Sequence, residues 1–134
     1  MIYHIWEKFY VTGPQALDLI QWVTINDASN LSEGQAQYSV MCYEDGGIVD
    51  DLLVYNLTEG DGYMLVVNAA NIAKDLAWIS EHNRFDAEVN DISTDTCLLA
   101  VQGPKSVETL QKITSLDLDE IKYYRFTFRT VCRF

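Results

Sequence analysis

The chain has 134 residues, with 20 acidic against 9 basic side chains, a net charge of −11, and 49% hydrophobic residues. This is the mix of a globular chain with one modest core, so a single domain over residues 1–134 is expected. The shortage of Lys and Arg excludes nucleic acid as the main partner, because phosphate binding needs clustered cations, and no apolar run approaches the roughly 18–20 residues that span a bilayer.

Residues 1–8 carry no basic stretch before an apolar one, so no signal or transit peptide is read there. Residues 8–11 form a short β-prone segment that Thr12-Gly13-Pro14 ends, and Pro14 suits the start of a helix, where no backbone N–H is needed. Ala16, Leu17, Ile20 and Val23 then recur at helical spacing. Residues 26–34 are polar and loop-like. Ala36, Tyr38, Val40 and Cys42 alternate with polar residues and Met41, which predicts a strand. Glu44-Asp45-Gly46-Gly47 is a turn signal, and residues 48–57 return as a second strand, so 36–57 is a β-hairpin. A turn at 59–62 precedes a strand at 63–67, and Ile72, Leu76 and Ile79 mark one face of a helix over 70–82. Residues 86–89 and 97–101 are read as strands, Gln102-Gly103-Pro104 opens a helix carrying Val107, Leu110 and Ile113, and Tyr124, Phe126 and Phe128 alternate in a closing strand.

Residues 11–21 and 101–111 resemble one another, each a strand, a Gly-Pro corner and a helix. The reading is an α+β fold: a mostly antiparallel sheet with about three helices packed largely on one face, built on these pseudo-repeated units.

Metal chemistry has no foothold. His4 and His82 are the only histidines, and Cys42, Cys97 and Cys132 form no close pair, so the cysteines are expected to be reduced thiols. His82 falls in the last turn of a helix, where a cation suits the dipole. Cys97 is expected to be a small core residue of its strand. Asn30-Leu31-Ser32 and Asn56-Leu57-Thr58 fit the glycosylation pattern, which has no meaning without export. No phosphate-binding loop or nucleophile elbow occurs, and the two Gly-Pro corners lack the further glycines and the lysine of a phosphate cradle.

The informative segment is Gly46-Gly47-Ile48-Val49-Asp50-Asp51-Leu52-Leu53-Val54-Tyr55. Alternation puts Asp51 on the face of Val49, Leu53 and Tyr55, and a turn centred on residues 44–47 places Val40 opposite Asp51, with Tyr38 and Cys42 on the same face. Asp50 falls on the other face with Ile48, Leu52 and Val54. Strand interiors disfavour aspartate, and burying one costs several kcal/mol without partners. Two readings stay open: solubility charges on a solvated edge hairpin, or a carboxylate in a pocket walled by Tyr38, Leu53 and Tyr55 that hydrogen-bonds an amine or heterocycle N–H.

Residues 34–42 (Gly-Gln-Ala-Gln-Tyr-Ser-Val-Met-Cys), the Gly46–Tyr55 string, Leu65-Val66-Val67-Asn68-Ala69-Ala70-Asn71, Lys74-Asp75-Leu76-Ala77-Trp78-Ile79 and Ala100-Val101-Gln102-Gly103-Pro104 together resemble the T-protein of the glycine cleavage system, a tetrahydrofolate-dependent aminomethyltransferase. The resemblance runs from about residue 11 to residue 126. It implies transfer of a one-carbon unit from an aminomethyl group on the lipoyl arm of H-protein to tetrahydrofolate, with release of ammonia. Asp51 matches the carboxylate beside folate N5. Tyr38, Leu53, Tyr55 and Asn68 match positions around the folate, the first three as wall and Asn68 as a polar contact. It also implies a cytoplasmic place, or the mitochondrial matrix in a eukaryote.

The family is longer, with a second α/β segment and a C-terminal barrel, so this chain is expected to correspond to the folate-binding first third. The family's Asp-x-Ser-His-Met-Gly segment is not reproduced at residues 3–8, and residues 129–134 also depart from it. A closing strand with an unpaired edge would favour self-association. The rival expectations are a non-catalytic remnant, a paralogue of the same fold such as a folate-binding protein of iron–sulfur assembly or a demethylating dehydrogenase, and an interaction domain that uses the sheet edge.

Overall fold

A computed structural model describes residues 6–57 and 62–128. His4, Cys132, most of the turn at 59–62, and the departing segments at either end lie outside or partly outside the described residues. The chain forms two compact units, Met1–Leu98 and Leu99–Phe134.

The first unit is a five-stranded antiparallel sheet in the order β2-β3-β4-β1-β5, formed by β1 (Trp6–Thr12), β2 (Gln35–Cys42), β3 (Ile48–Asn56), β4 (Tyr63–Asn68) and β5 (Glu88–Asp91). Two helices, α1 (Ala16–Val23) and α2 (Ile72–His82), supply Leu19, Ile20, Val23 and Ile79 to a core that includes Phe9, Val11, Met41, Leu52, Val54, Leu65 and Val67. These strand residues share one face, so that face is buried beneath helices. Leu19, Ile20 and Ile79 are fully buried, and each such side chain contributes about 1.5–3 kcal/mol of transfer free energy. The α+β reading therefore holds, with α1 and α2 in one core.

The corner at Gly13-Pro14 sets the angle between β1 and α1. Gly13 has φ +104°, and a Cβ there would lie 2.8 Å from the Asp86 carbonyl oxygen. That oxygen accepts from the Gln15 backbone N–H at 3.1 Å, while the Gln15 side-chain Oε1 accepts from Asp86 N–H at 2.8 Å. The hairpin register is as the alternation predicts, with Val40 paired to Asp51 and Tyr38 to Leu53. Its turn closes through Tyr43 N–H to the Gly47 oxygen at 2.7 Å, and a register shift follows at Met41 and Cys42.

Four sequence expectations are corrected. The strand expected at 86–89 is displaced to Glu88–Asp91, because the Asp86 backbone is engaged by Gln15 and only residues 88–91 pair with β1. Residues 97–101 form no strand, and Cys97 is exposed rather than a core residue. Residues 124–128 form no strand either: Tyr124 takes φ 55°, which breaks an extended chain. The unpaired edge attributed to that segment goes with it. The second unit instead holds a five-residue helix, α3 (Ser106–Leu110). Gly103 has φ +118°, so both Gly-Pro corners turn through a left-handed glycine, but only the first follows a strand.

Gly13→Ala is expected to lower stability by about 2–3 kcal/mol, combining strain at positive φ with a clash against fixed backbone. Gly46→Ala, at φ +85° with open space around the site, should cost about 1 kcal/mol. Urea midpoints of the two variants check this; equal losses would show that the close approach at Asp86 is unimportant.

Candidate functional site

The second face of the sheet carries Ala36, Tyr38, Val40, Asp51, Leu53 and Tyr55 on the hairpin, continued by Met64, Val66 and Asn68 on β4. Helices α1 and α2 pack against the opposite face. Tyr38 is 49% exposed and Asp51 is exposed, while Leu53, Tyr55 and Asn68 are half-buried. Asp51 therefore stands on an open apolar surface rather than inside a closed hollow.

Two of the five expected side chains, Tyr38 and Asn68, converge on a third, Asp51. The Tyr38 hydroxyl donates to Asp51 Oδ2 at 3.1 Å, and the Asn68 amide Nδ2 donates to Asp51 Oδ1 at 3.0 Å, with the Asp51 carbonyl oxygen at 3.3 Å. Leu53, paired with both Tyr38 and Val66, forms the apolar floor next to them. Tyr55 lies one same-face position further along β3, between Ala36 and Met64. Both oxygens of Asp51 are thus oriented by one phenol and one amide, leaving lone pairs for an incoming N–H donor.

Asp50 faces the other way and is buried, 6% exposed. It meets Asp75, which α2 brings to full burial. Burial by itself would raise Asp50, but hydrogen bonds from Asp75, Asn68, Asn71 and the Asp51 backbone outweigh it and hold the Asp50 carboxyl below its ordinary value. Asn68 Nδ2 lies 3.0 Å from Asp50 Oδ1. Asp75 is pushed up to about 7, first by burial, then by its hydrogen bond to Asp50 and the Asp50 charge, with Asp51 adding and Lys74 opposing. The Lys74 ammonium itself donates to the Val49 carbonyl, and Trp78, one turn on, packs edge-on against Tyr43 of the hairpin turn at 5.0 Å. These contacts seat α2 against the hairpin.

The sequence reading marked Asp50 as misplaced among apolar neighbours but missed its partner. The signal was present: Ile72, Asp75, Leu76 and Ile79 share one helical face, so Asp75 interrupts an apolar stripe. His82 closes α2 with Nδ1 2.8 Å from the Trp78 carbonyl, a structural contact. Among the described residues, no group of three His, Cys, Asp or Glu side chains converges as a metal site.

Asp75 gives folding a defined pH dependence. With a folded value near 7 against 3.8 unfolded, its contribution is fully present below about pH 4 and is lost as pH rises to about 7. Asp50 acts in the opposite sense, its contribution being lost as pH falls through the acid range. The native chain should lose on the order of a few kcal/mol between pH 4.5 and 7.5 relative to Asp75→Asn, which has no proton to lose there. Parallel urea-stability curves for the two proteins over that range would refute this.

A family model described as the GCVT N-terminal domain matches residues 3–134. An aminomethyltransferase of Thermotoga maritima is 52% identical over 120 residues, covering 89% of this chain and 33% of the relative. One from Flavobacterium psychrophilum is 50% identical over 119 residues, with the same two shares. The crystal structure of glycine cleavage system aminomethyltransferase T from Bartonella henselae superposes with a TM-score of 0.76 at 28% identity, covering 90% of this chain and 32% of that one. The chain thus spans about a third of the length of the proteins it matches.

Proposed function

Because the chain belongs to the glycine cleavage T-protein family through its GCVT N-terminal domain, we propose that it is the tetrahydrofolate-binding portion of an aminomethyltransferase and that Asp51 is its catalytic carboxylate. The observation that carries this is the Tyr38–Asp51–Asn68 cluster on an apolar sheet face. A pterin is a flat heterocycle edged with N–H donors. An apolar surface with one oriented carboxylate suits both features, stacking against the ring while accepting from its edge.

In this reading Leu53, Tyr55 and Tyr38 wall the folate, Asn68 is a polar contact, and Asp51 orients the pterin. The folate N5 attacks the methylene carbon of an aminomethyl group carried on the lipoyl arm of H-protein. The carbon–sulfur bond to that arm and the carbon–nitrogen bond to the amine both break in the overall transfer. Ammonia and the free thiol leave, and the one-carbon unit ends as 5,10-methylenetetrahydrofolate. Asp51 contributes by holding N5 in line and by assisting proton transfer to the departing amine. No metal is needed for that chemistry. No helix among the described residues is long and apolar enough to cross a membrane, and a cytoplasmic enzyme is the reading that goes with the proposed pathway.

A second reading for the isolated chain is a binding module that does not complete the transfer alone. One titration addresses both. Tetrahydrofolate should bind the native chain; Asp51→Asn should weaken it about tenfold, the worth of a hydrogen bond to a charged group, and Tyr38→Phe by a smaller factor. Equal affinity of native chain and Asp51→Asn would overturn the assignment of Asp51. Release of ammonia from aminomethyl-lipoyl H-protein, assayed beside it, separates enzyme from binding module.

A further inference from the structure

We propose that Asp50 and Asp75 hold one proton between them on the helix side of the sheet, and that this pair, acting through the Asn68 amide, is the positioning device that fixes Asp51 on the opposite face. The inference deepens the reading of Asp51 given above and rests on it.

The argument starts from donors and acceptors. Asp50 Oδ2 and both oxygens of Asp75 are buried, and no N–H group donates to any of them. Yet the two carboxyls lie against each other, close enough for one to donate to the other. A carboxylate has no hydrogen to donate, so the bond exists only if one partner is protonated. Two ionised carboxylates in contact, out of water and without an ammonium or guanidinium bonded to them, are too costly to persist. The cation that acts on the pair, Lys74 on α2, only partly offsets the shift of Asp75 and donates its ammonium to the Val49 carbonyl; Met41 on β2 is opposite Asp50, and the charge that Asp51 on β3 adds is negative. Register places one more carboxylate, Glu7 on β1, on the same sheet face, opposite Val67. The proton therefore rests on Asp75, whose hydroxyl donates to Asp50.

Asn68 carries the effect across the sheet. Its amide nitrogen lies 3.0 Å from Asp50 Oδ1 and 3.0 Å from Asp51 Oδ1. With two hydrogens, that nitrogen serves one carboxylate on each face. Asp50 can anchor it only while its own oxygens are held in place, and Asp75 does the holding. The order of dependence is Asp75 to Asp50, Asp50 to Asn68, and Asn68 to Asp51, with Tyr38 fixing the other Asp51 oxygen. When the pair loses its proton, the two buried charges repel and the anchor of Asn68 shifts.

The test compares Asp75→Asn, which keeps a donor that cannot ionise, with Asp75→Leu, which has none. Tetrahydrofolate affinity of the native chain should fall severalfold as pH rises from 6 to 8. Asp75→Asn should flatten that profile and keep the native affinity at pH 6. Asp75→Leu should bind at least fivefold more weakly at both. An Asp75→Asn profile that follows the native one, or a folded Asp75→Leu with native affinity, overturns the proposal; should Asp75→Leu fail to fold, the Asn variant decides alone. Carboxyl carbon-13 and Asn side-chain amide spectra of the ligand-free chain give a second readout. A carboxyl that titrates near neutrality and moves the Asn68 and Asp51 signals with it supports the relay, and one that leaves them still overturns it. A chain that binds no tetrahydrofolate yet shows the coupled titration refutes the folate reading and leaves the relay standing.

Discussion

Neighbouring residues of a strand point to opposite faces of the sheet, and in β3 this separates Asp50 from Asp51. One carboxyl must go under the helices and the other must face outward. The inward one sets severe terms, because an aspartate with 6% exposure needs donors or it unfolds the strand that carries it. Those donors come from a single stretch of chain: Asn68 at the end of β4, Asn71 in the turn of residues 69–71, and Asp75 in the first turn of α2. The placement of α2 on the hairpin, with Lys74 on the Val49 carbonyl and Trp78 against Tyr43, follows the same demand. The outward carboxyl gains an oriented position in return.

Much of this was legible in the sequence. A glycine-rich turn of known position fixes a hairpin register, and register with period two fixes which residues share a face, so the sequence alone groups Tyr38, Asp51 and Leu53. Which face the helices cover was not legible. Both faces of β3 carry apolar residues, Leu52 and Val54 on one and Leu53 and Tyr55 on the other, so alternation names two faces without ranking them. The ranking comes from α1 and α2, whose buried residues lie against Leu52 and Val54. Asp51 thus became the exposed member and Asp50 the buried one. Asp75 was hidden for a related reason: a helical stripe of Ile72, Leu76 and Ile79 is read as core, and an acidic residue inside it goes unnoticed unless a partner carboxyl is already placed.

The C-terminal third shows where pattern runs out. Residues 97–101 and 124–128 are apolar enough for strands, yet Leu99 is 70% exposed and Tyr123, just ahead of the second segment, is 89% exposed. Alternation describes one surface of a strand, but a strand exists only where a neighbour completes the hydrogen-bond ladder. The left-handed Tyr124 breaks the extended run that the aromatic alternation suggested. Local composition was right about hydrophobicity and silent about partners.

A coupling between opposite faces is possible only at a particular place in a sheet. In the middle of a strand, a side chain on one face is screened from the other by the backbone and its ladder. At the end of β4 the ladder stops, and the chain turns at once through residues 69–71 into α2. Asn68 sits at that boundary, so its short amide reaches the side chains of both Asp50 and Asp51. The residues that neutralise the buried carboxyl and the residue that orients the exposed one are therefore consecutive turns of one segment, 68–75. Any change that displaces the first turn of α2 must move the Asn68 amide as well, because Asp50 is held from both ends. The exposed Asp51 carboxyl thus shares its Asn68 donor with a carboxyl that is packed against α2.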